Sequence, residues 1–156
     1  MILEVKDPIS VLNGMEDSLL ILYQYDAQKR EFAMVLDYYR GRAWGAGRAF
    51  LRVRFEGVSS FRREKGLHAG LQRFTDSYST RETRHSIDLQ EINIDVQERL
   101  IFIGLDFGLS FGTVSFVCEQ VTTEARNTRA VQTGPDEWYY YDFADGAPVD
   151  FHDPFA

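Results

Sequence analysis

LIFIGLDFGLSFGTVSFVCEQV, residues 100–121, is the most apolar continuous run in the chain, and any folded form must bury most of it. Over residues 103–111 bulky apolar side chains alternate strictly with small or polar ones, which is the periodicity of a β-strand. After Gly112 the bulky residues change parity, and such a change marks a hairpin loop or a bulge. A single strand through the run would be unusually long, so we predict two strands joined around residues 108–112. The residues predicted to face the core are Ile103, Leu105, Phe107, Leu109 and Phe111, then Val114, Phe116 and Cys118.

Apolar runs before this hairpin predict further strands. Residues 18–25 are apolar on both parities, as in a strand covered on both faces, and residues 32–39 follow a polar loop as its antiparallel partner. Residues 87–96 contain β-branched residues and a change of parity, which predicts a bulged strand. Apolar residues at i, i+4, i+7 and i+11 predict a short amphipathic helix over residues 67–78.

A regular alternation in residues 49–55 predicts a third strand with one solvated face, which would carry Phe50, Arg52 and Arg54. The strands follow one another without intervening long helices. They therefore predict a mainly β fold, all-β or α+β: an antiparallel β-sandwich or a partly open β-barrel with one short helix.

The length of 156 residues predicts a single domain over residues 1–156. Its core is expected within residues 18–121. Residues 122–156 are polar and turn-rich and then aromatic and acidic, so a loop and a tail that packs on the body are expected there.

The net charge of −7 is distributed unevenly. Residues 40–65 hold 8 basic and 2 acidic side chains, whereas residues 100–156 hold 2 basic and 9 acidic ones. A protein with an acidic surface attracts a basic partner, as an inhibitor or immunity protein does with a basic toxin. The same charge repels nucleic acid, so another protein is the expected partner. Sheet edges and the mixed charge pattern also make a homodimer an expectation.

The segment RGRAWGAGR, residues 40–48, supplies the main alternative. Its arginines would grip phosphates while Trp44 stacks on a base, although its glycines match no phosphate-binding motif. Two other interpretations remain open: the arginines pair with the protein's own acids, or the acidic tail lies across this basic face. The candidate binding residues are Arg40, Arg42, Trp44, Arg48, Arg52, Arg54, Trp138 and Tyr140.

No catalytic motif is assembled in the sequence, so a protein without catalysis, cofactor or metal is expected. The single cysteine, Cys118, lies among apolar residues, where a buried, unreactive thiol is expected. An enzyme would instead need His68 or His85 in a cleft beside a carboxylate, or beside Arg52 or Arg54. A group of tail residues has metal-binding side chains, but its spacing matches no metal motif and indicates a solvated acidic tail. These residues are Asp142, Asp145, Asp150, His152 and Asp153.

A barrel rich in aromatic residues can also enclose a small molecule or lipid. The small residues Gly104, Gly108 and Ser110 share one parity of the hairpin with Asp106, and this side would face solvent, a ligand or the aromatic tail. These three arrangements correspond to the three functions considered above, which are binding of a protein, of a nucleic acid and of a small molecule.

The single cysteine indicates a reducing compartment, and no basic segment followed by an apolar one marks the first residues as a signal peptide. No run is long and apolar enough to span a membrane. Of 17 basic residues, 14 are arginine, a usage associated with GC-rich bacterial genomes. A cytoplasmic bacterial protein is therefore expected.

Overall fold

A computed structural model of the chain describes residues 1–38, 47–65, 77–79 and 87–156. The strands of the described residues are β1 (Ile2–Glu4), β2 (Ser18–Asp26), β3 (Glu31–Tyr38), β4 (Gly47–Glu56), β5 (Ser59–Lys65), β6 (Ser77–Ser79), β7 (Ile87–Leu89), β8 (Glu91–Gln97), β9 (Leu100–Asp106), β10 (Gly112–Cys118), β11 (Gln120–Gly134), β12 (Glu137–Asp142) and β13 (Pro148–Val149). The helices are α1 (Pro8–Asn13) and the single turn α2 (Gly108–Phe111). No helix in these ranges has the length and apolar character needed to cross a bilayer.

The predicted hairpin is confirmed, because β9 and β10 pair antiparallel from Asp106–Thr113 to Ile101–Cys118. The turn between them is α2, which begins at Gly108 with a φ of +82°, a conformation that suits glycine. One residue of the predicted core parity is placed wrongly: Leu109 lies on α2 with 78% of its surface exposed. The alternation of the sequence continues through the turn, whereas the strand ends at Asp106.

The strands form two antiparallel sheets, which confirms the predicted mainly β, sandwich-like fold. The large sheet has the order β13-β12-β11-β4-β3-β2-β6, with β1 also paired to β11 and β7 to β2. The small sheet has the order β5-β10-β9-β8. Two connections link the sheets at one corner, where β4 runs into β5 and β10 into β11. Gly57 has a φ of +66° there, and the N–H of Glu119 donates to the carbonyl of Glu56 at 2.9 Å.

The predicted loop after Val121 is wrong. Residues 120–134 form the fifteen-residue strand β11, which pairs with β4 on one side and with β1 and β12 on the other. Polar residues form this strand because its outward side chains find partners in the neighbouring strands, as Glu124 does in Arg52.

The prediction of a strand over residues 87–96 is confirmed, in two pieces. The change of parity marks the point at which the chain passes from the large sheet, where β7 pairs with β2, to the small sheet, where β8 pairs with β9. Of the helix predicted over residues 67–78, Tyr78 lies in strand β6. Residues 67–76 lie outside the described residues.

The main core lies between the sheets and is filled with aromatic rings. Phe116 of the small sheet contacts Phe55 and Phe32 of the large one, with ring centroids 4.9 and 5.5 Å apart. Phe61 of β5 also contacts Phe32 at 5.5 Å and stacks on Tyr25 at 3.9 Å. This region of the interior is therefore packed with side chains.

A second apolar cluster lies on the outer face of the large sheet and corrects the prediction for Phe50. This side chain was expected to face solvent but is fully buried. It is covered by residues that follow β13: the ring of Phe151 lies 5.7 Å from Phe50 and 5.4 Å from Tyr140. Ile21, Val35 and Val149 are the other buried residues of the cluster. The alternate residues of β4 therefore point to two opposite faces of the sheet, and both faces are buried.

Candidate functional site

The outer face of the small sheet carries a depression of about 600 Å³. Its centre is a cross-strand row in which Ser115 of β10 lies between Arg62 of β5 and Gly104 of β9, and Gly104 pairs in turn with Asn93 of β8. Gly104 and Ser115 leave the middle of the row low because they have little or no side chain. The side of the hairpin that carries Gly104 and Asp106, for which the sequence allowed three environments, thus faces outward. The C-terminal segment instead covers the large sheet.

Exposed apolar side chains lie at the end of the β8–β9 hairpin, and one of them, Phe102, lines the depression. Phe102 pairs with Val117 across the sheet and is 40% exposed, and Leu100, two residues before it on the same face, is 43% exposed. Val96 is 54% exposed on the opposite side of the hairpin. The end of the hairpin therefore presents apolar surface on both sides, whereas exposed positions of a sheet are usually polar.

Acidic residues lie on both sides of the central row. On one side Asp95 pairs directly with Phe102, and on the other side an outward-facing row runs from Glu64 through Thr113 and Asp106 to Glu91. Asp106 also holds the turn, because its Oδ1 accepts the N–H of Gly108 at 2.8 Å. Arg62 is the basic residue of these rows. Four carboxylates against one guanidinium give this face a negative potential.

The arginines predicted to bind a ligand lie elsewhere, on the outer face of the large sheet. Arg48 donates to Asp37 Oδ2 at 2.6 Å, and Arg52 Nε donates to Glu124 at 2.7 Å while its guanidinium lies 4.8 Å from the ring of Phe155. Arg54 is half-buried in the same strand. Of the interpretations left open by the sequence, these contacts support internal pairing and a C-terminal segment that crosses the basic face. Arg40, Arg42, Trp44, His68 and His85 lie outside the described residues.

The two predicted aromatic residues occupy a separate cleft of about 340 Å³ between β12 and residues 148–152. Trp138 is 50% exposed, whereas Tyr140 is buried against Phe50 and Phe151. Burial raises the pKa of Tyr140, against the opposing effect of Arg48. The structure therefore does not bring these residues together with the small-sheet depression.

Two buried carboxylates of the large sheet have opposite pKa shifts. Burial raises the pKa of Asp37, and the charge of Arg48 opposes the rise. Burial alone would also raise the pKa of Asp142, but hydrogen bonds from the N-terminal ammonium, Ala144 and Arg126 hold it well below its usual range. Arg126 Nε donates to Asp142 Oδ2 at 2.9 Å. Asp142 thus anchors the C-terminal part of the chain.

The other acids of the tail support local turns. Asp145 accepts the N–H of Ala147 at 2.8 Å, and Asp150 accepts that of His152 at 2.9 Å. Across the described residues no three histidine, cysteine or acidic side chains are grouped as a metal site requires.

Cys118 is fully buried, and burial, with a smaller effect of Glu119, raises the pKa of its thiol to about 11. Because the thiolate is the reactive form, we expect the native protein to react with a disulfide reagent such as DTNB at least about a hundredfold more slowly than the unfolded chain near neutral pH. The measurement compares the rates in buffer and in denaturant. Equal rates in the two would contradict the buried placement.

Sequence reasoning missed Phe102 and Asn93 as site residues. Phe102 precedes the alternating run at residues 103–111, and its parity was known only as the side opposite the core. When β9 and β10 are aligned as a hairpin, the side opposite the core carries Leu100, Phe102 and Val117. This shared side could have identified them as exposed apolar residues.

No family model, curated protein or solved structure matches this chain.

Proposed function

We propose that this protein is a non-catalytic binding protein that holds a basic protein partner on the outer face of its small sheet. The observation that carries the proposal is the exposed Phe102, which stands at the rim of the depression between its cross-strand neighbours Val117 and Asp95, with three further carboxylates on the other side of the central row. An exposed aromatic residue within a polar rim is the usual arrangement of an interface hot spot.

The depression supplies the shape that such an interface needs. Gly104 and Ser115 lower the middle of the sheet, and Phe102 and Arg62 stand at its borders. A side chain from the partner would enter the low row and contact Phe102 on one side. Aromatic residues in this position supply large contact area at little cost in conformational entropy.

The charge of the face selects the partner. Glu64, Glu91, Asp95 and Asp106 outnumber Arg62, so the field attracts a basic surface and repels an acidic one. The whole chain has the same sign, with a net charge of −7. This sign also argues against nucleic acid, and the pairing of Arg48 and Arg52 with internal acids removes part of the basic surface that such a ligand would need.

A small-molecule carrier is the weaker alternative. A ligand inside the sandwich would have to displace the contacts among Phe32, Phe55, Phe61 and Phe116, which join the two sheets. These rings lie at ordinary packing distances. The depression on the outside is open to solvent, which suits a protein surface better than a small molecule that must be largely enclosed.

Phe102→Ala is expected to weaken partner binding by about 2 kcal/mol, or roughly thirtyfold, because it removes the central apolar contact. Since the side chain is already 40% exposed, its loss should change the free energy of unfolding by less than about 1 kcal/mol. The partner is identified first by photo-cross-linking: p-benzoylphenylalanine replaces Phe102, and extracts of the source cells are irradiated. Affinity is then measured by titration with the purified partner.

Phe143 provides the matched control, because this aromatic residue is 65% exposed and lies beyond β12 on the large sheet. The cross-linker at position 143 should not capture the protein that position 102 captures, and Phe143→Ala should bind as the wild type does. Capture of no basic protein at position 102, or equal capture at both positions, would make the proposal wrong.

A further inference from the structure

We propose that the partner adds an extended strand, with alternating basic and apolar side chains, to the open edge of β8. This inference rests on the proposed function and specifies how the partner is recognised. Peptides that extend an exposed sheet edge bind through main-chain hydrogen bonds, while alternate side chains give specificity.

The edge of β8 is long and regular. Seven consecutive residues, from Glu91 to Gln97, pair with β9 without a shift of register. Within the described part of the chain β8 has a strand partner on this side only, and it is the last strand of the small sheet. Every second residue of such a strand turns its N–H and C=O groups to the unpaired side.

This edge lacks lysine, proline and a bulge, three of the features that prevent strand addition, and its charged residues are two acids, Glu91 and Asp95. Natural edges carry lysine, proline or a bulge, or they are very short. The sequence of β8, EINIDVQ, contains neither lysine nor proline. The opposite edge strand of the small sheet, β5, does have an irregular register with β10, and Ser60 has a φ of +54°.

The edges of the large sheet are different again. On one side β6 and β7 together pair with β2, and on the other side β13 is only two residues long. The edge of β8 is thus the long, regular edge in the described ranges.

Charge complementarity determines the kind of strand that fits. Glu91 and Asp95 of β8 lie on the outer face, while the turn that follows holds one acid and one base, Glu98 and Arg99. Opposite charges on neighbouring strands stabilise a sheet and like charges destabilise it. A second copy of β8 would bring acid close to acid, so a basic strand is favoured over self-pairing.

The two faces of the β8–β9 hairpin determine which positions of the added strand are basic and which are apolar. Basic residues of the added strand would lie on the outer face beside Asp95 and Glu91, where the depression begins. Its apolar residues would lie on the inner side beside Ile94, which is half-buried, and Val96, which is exposed. Helix α1 lies close to β8, and its Leu12 shares the main core with Ile92. The half of the β8 edge that contains Val96 is open on both faces of the sheet.

The test uses a synthetic peptide of the same seven-residue length as β8, acetylated and amidated, in which Lys and Val alternate. A second peptide has the same sequence with N-methyl groups on alternate residues, which removes donors for strand pairing, and a third has Glu in place of Lys. We expect the first to bind at least about tenfold more tightly than either of the others, and to slow amide hydrogen exchange within residues 92–96. Asp95→Asn should weaken binding severalfold, whereas Asp145→Asn, a change of the same type in the tail, should not.

Strand addition is overturned if N-methylation leaves the affinity unchanged, if the basic peptide does not bind, or if protection appears in β10 and not in β8. It is also overturned if β8 is protected without peptide in a concentration-dependent dimer. In each of these cases the proposed function still stands if position 102 cross-links a basic protein. Failure of that cross-link removes the proposed function itself.

Discussion

Replacement of Phe50 by alanine is expected to lower the free energy of unfolding by about 4 kcal/mol, the usual cost of truncating a fully buried aromatic residue. The side chain has no exposed surface, and its ring meets Tyr140 at 5.8 Å and Phe151 at 5.7 Å in edge-to-face contacts. Alanine would leave a cavity between β4 and the segment after β13, with Val35 and Val149 at its border. Denaturant unfolding of the variant measures the loss.

Phe143→Ala is the control for this prediction as well, since the same truncation at a residue that is 65% exposed should cost less than about 1 kcal/mol. A second readout follows the C-terminal segment directly. In Phe50→Ala the amides of residues 151–156 should exchange faster than in the wild type, because the surface on which they pack is reduced. A Phe50 variant as stable as the control would show that the segment is not part of the folded core.

Asp142→Asn is expected to cost about 3 kcal/mol near pH 7, because it leaves the buried guanidinium of Arg126 without its charged partner. The Asp142 side chain is 1% exposed and that of Arg126 is 14% exposed, so water replaces the lost interaction poorly. Asp145→Asn is the matched control: it changes an aspartate of the same tail whose carboxylate only accepts a backbone N–H in a turn.

The pH dependence has a definite sign. The pKa of Asp142 is lower in the folded protein than in the unfolded chain, so its stabilisation is complete above the unfolded value and is lost as the pH falls towards the folded one. The difference in unfolding free energy between the wild type and Asp142→Asn should therefore shrink between about pH 5 and about pH 3. Asp37, whose pKa is raised, contributes in the opposite direction in both proteins. A difference that stays constant over this range would contradict the role of the Asp142 charge.

Local patterns in the sequence were sufficient to predict the strands that are apolar on at least one face. The hairpin of β9 and β10 and the strand β4 alternate with a period that no helix would satisfy, and β2 and β3 are short apolar runs joined by a polar loop. The strand β11 was missed because its outward residues are polar. Their suitability for a sheet depends on Arg52 and Asp142, which are distant in sequence. Such pairings are tertiary contacts and leave no local signal.

For the candidate site, the sequence predicted the chemical character of the surface but not the residues that form it. An acidic surface and exposed aromatic residues were expected, but Trp138 and Tyr140 were chosen for them, whereas the open face carries Phe102. The choice depends on which sheet the C-terminal segment covers. Phe151 packs on Phe50, and this contact buries one outer face and leaves the other to solvent. The residues next to Phe50 and Phe151 in the sequence give no sign that these two side chains contact each other.

The pairing of β1 with β11 has a consequence for synthesis on the ribosome. Ile2 lies opposite Arg126, and Glu4 lies opposite Glu124, so the first strand waits for more than a hundred residues of translation before its partner exists. Phe50 likewise waits for Phe151, which follows it by 101 residues. The nascent chain therefore carries an unfinished sheet until residues 120–151 have left the exit tunnel, and cotranslational protection of that sheet by a chaperone would matter more here than in a protein built from local hairpins.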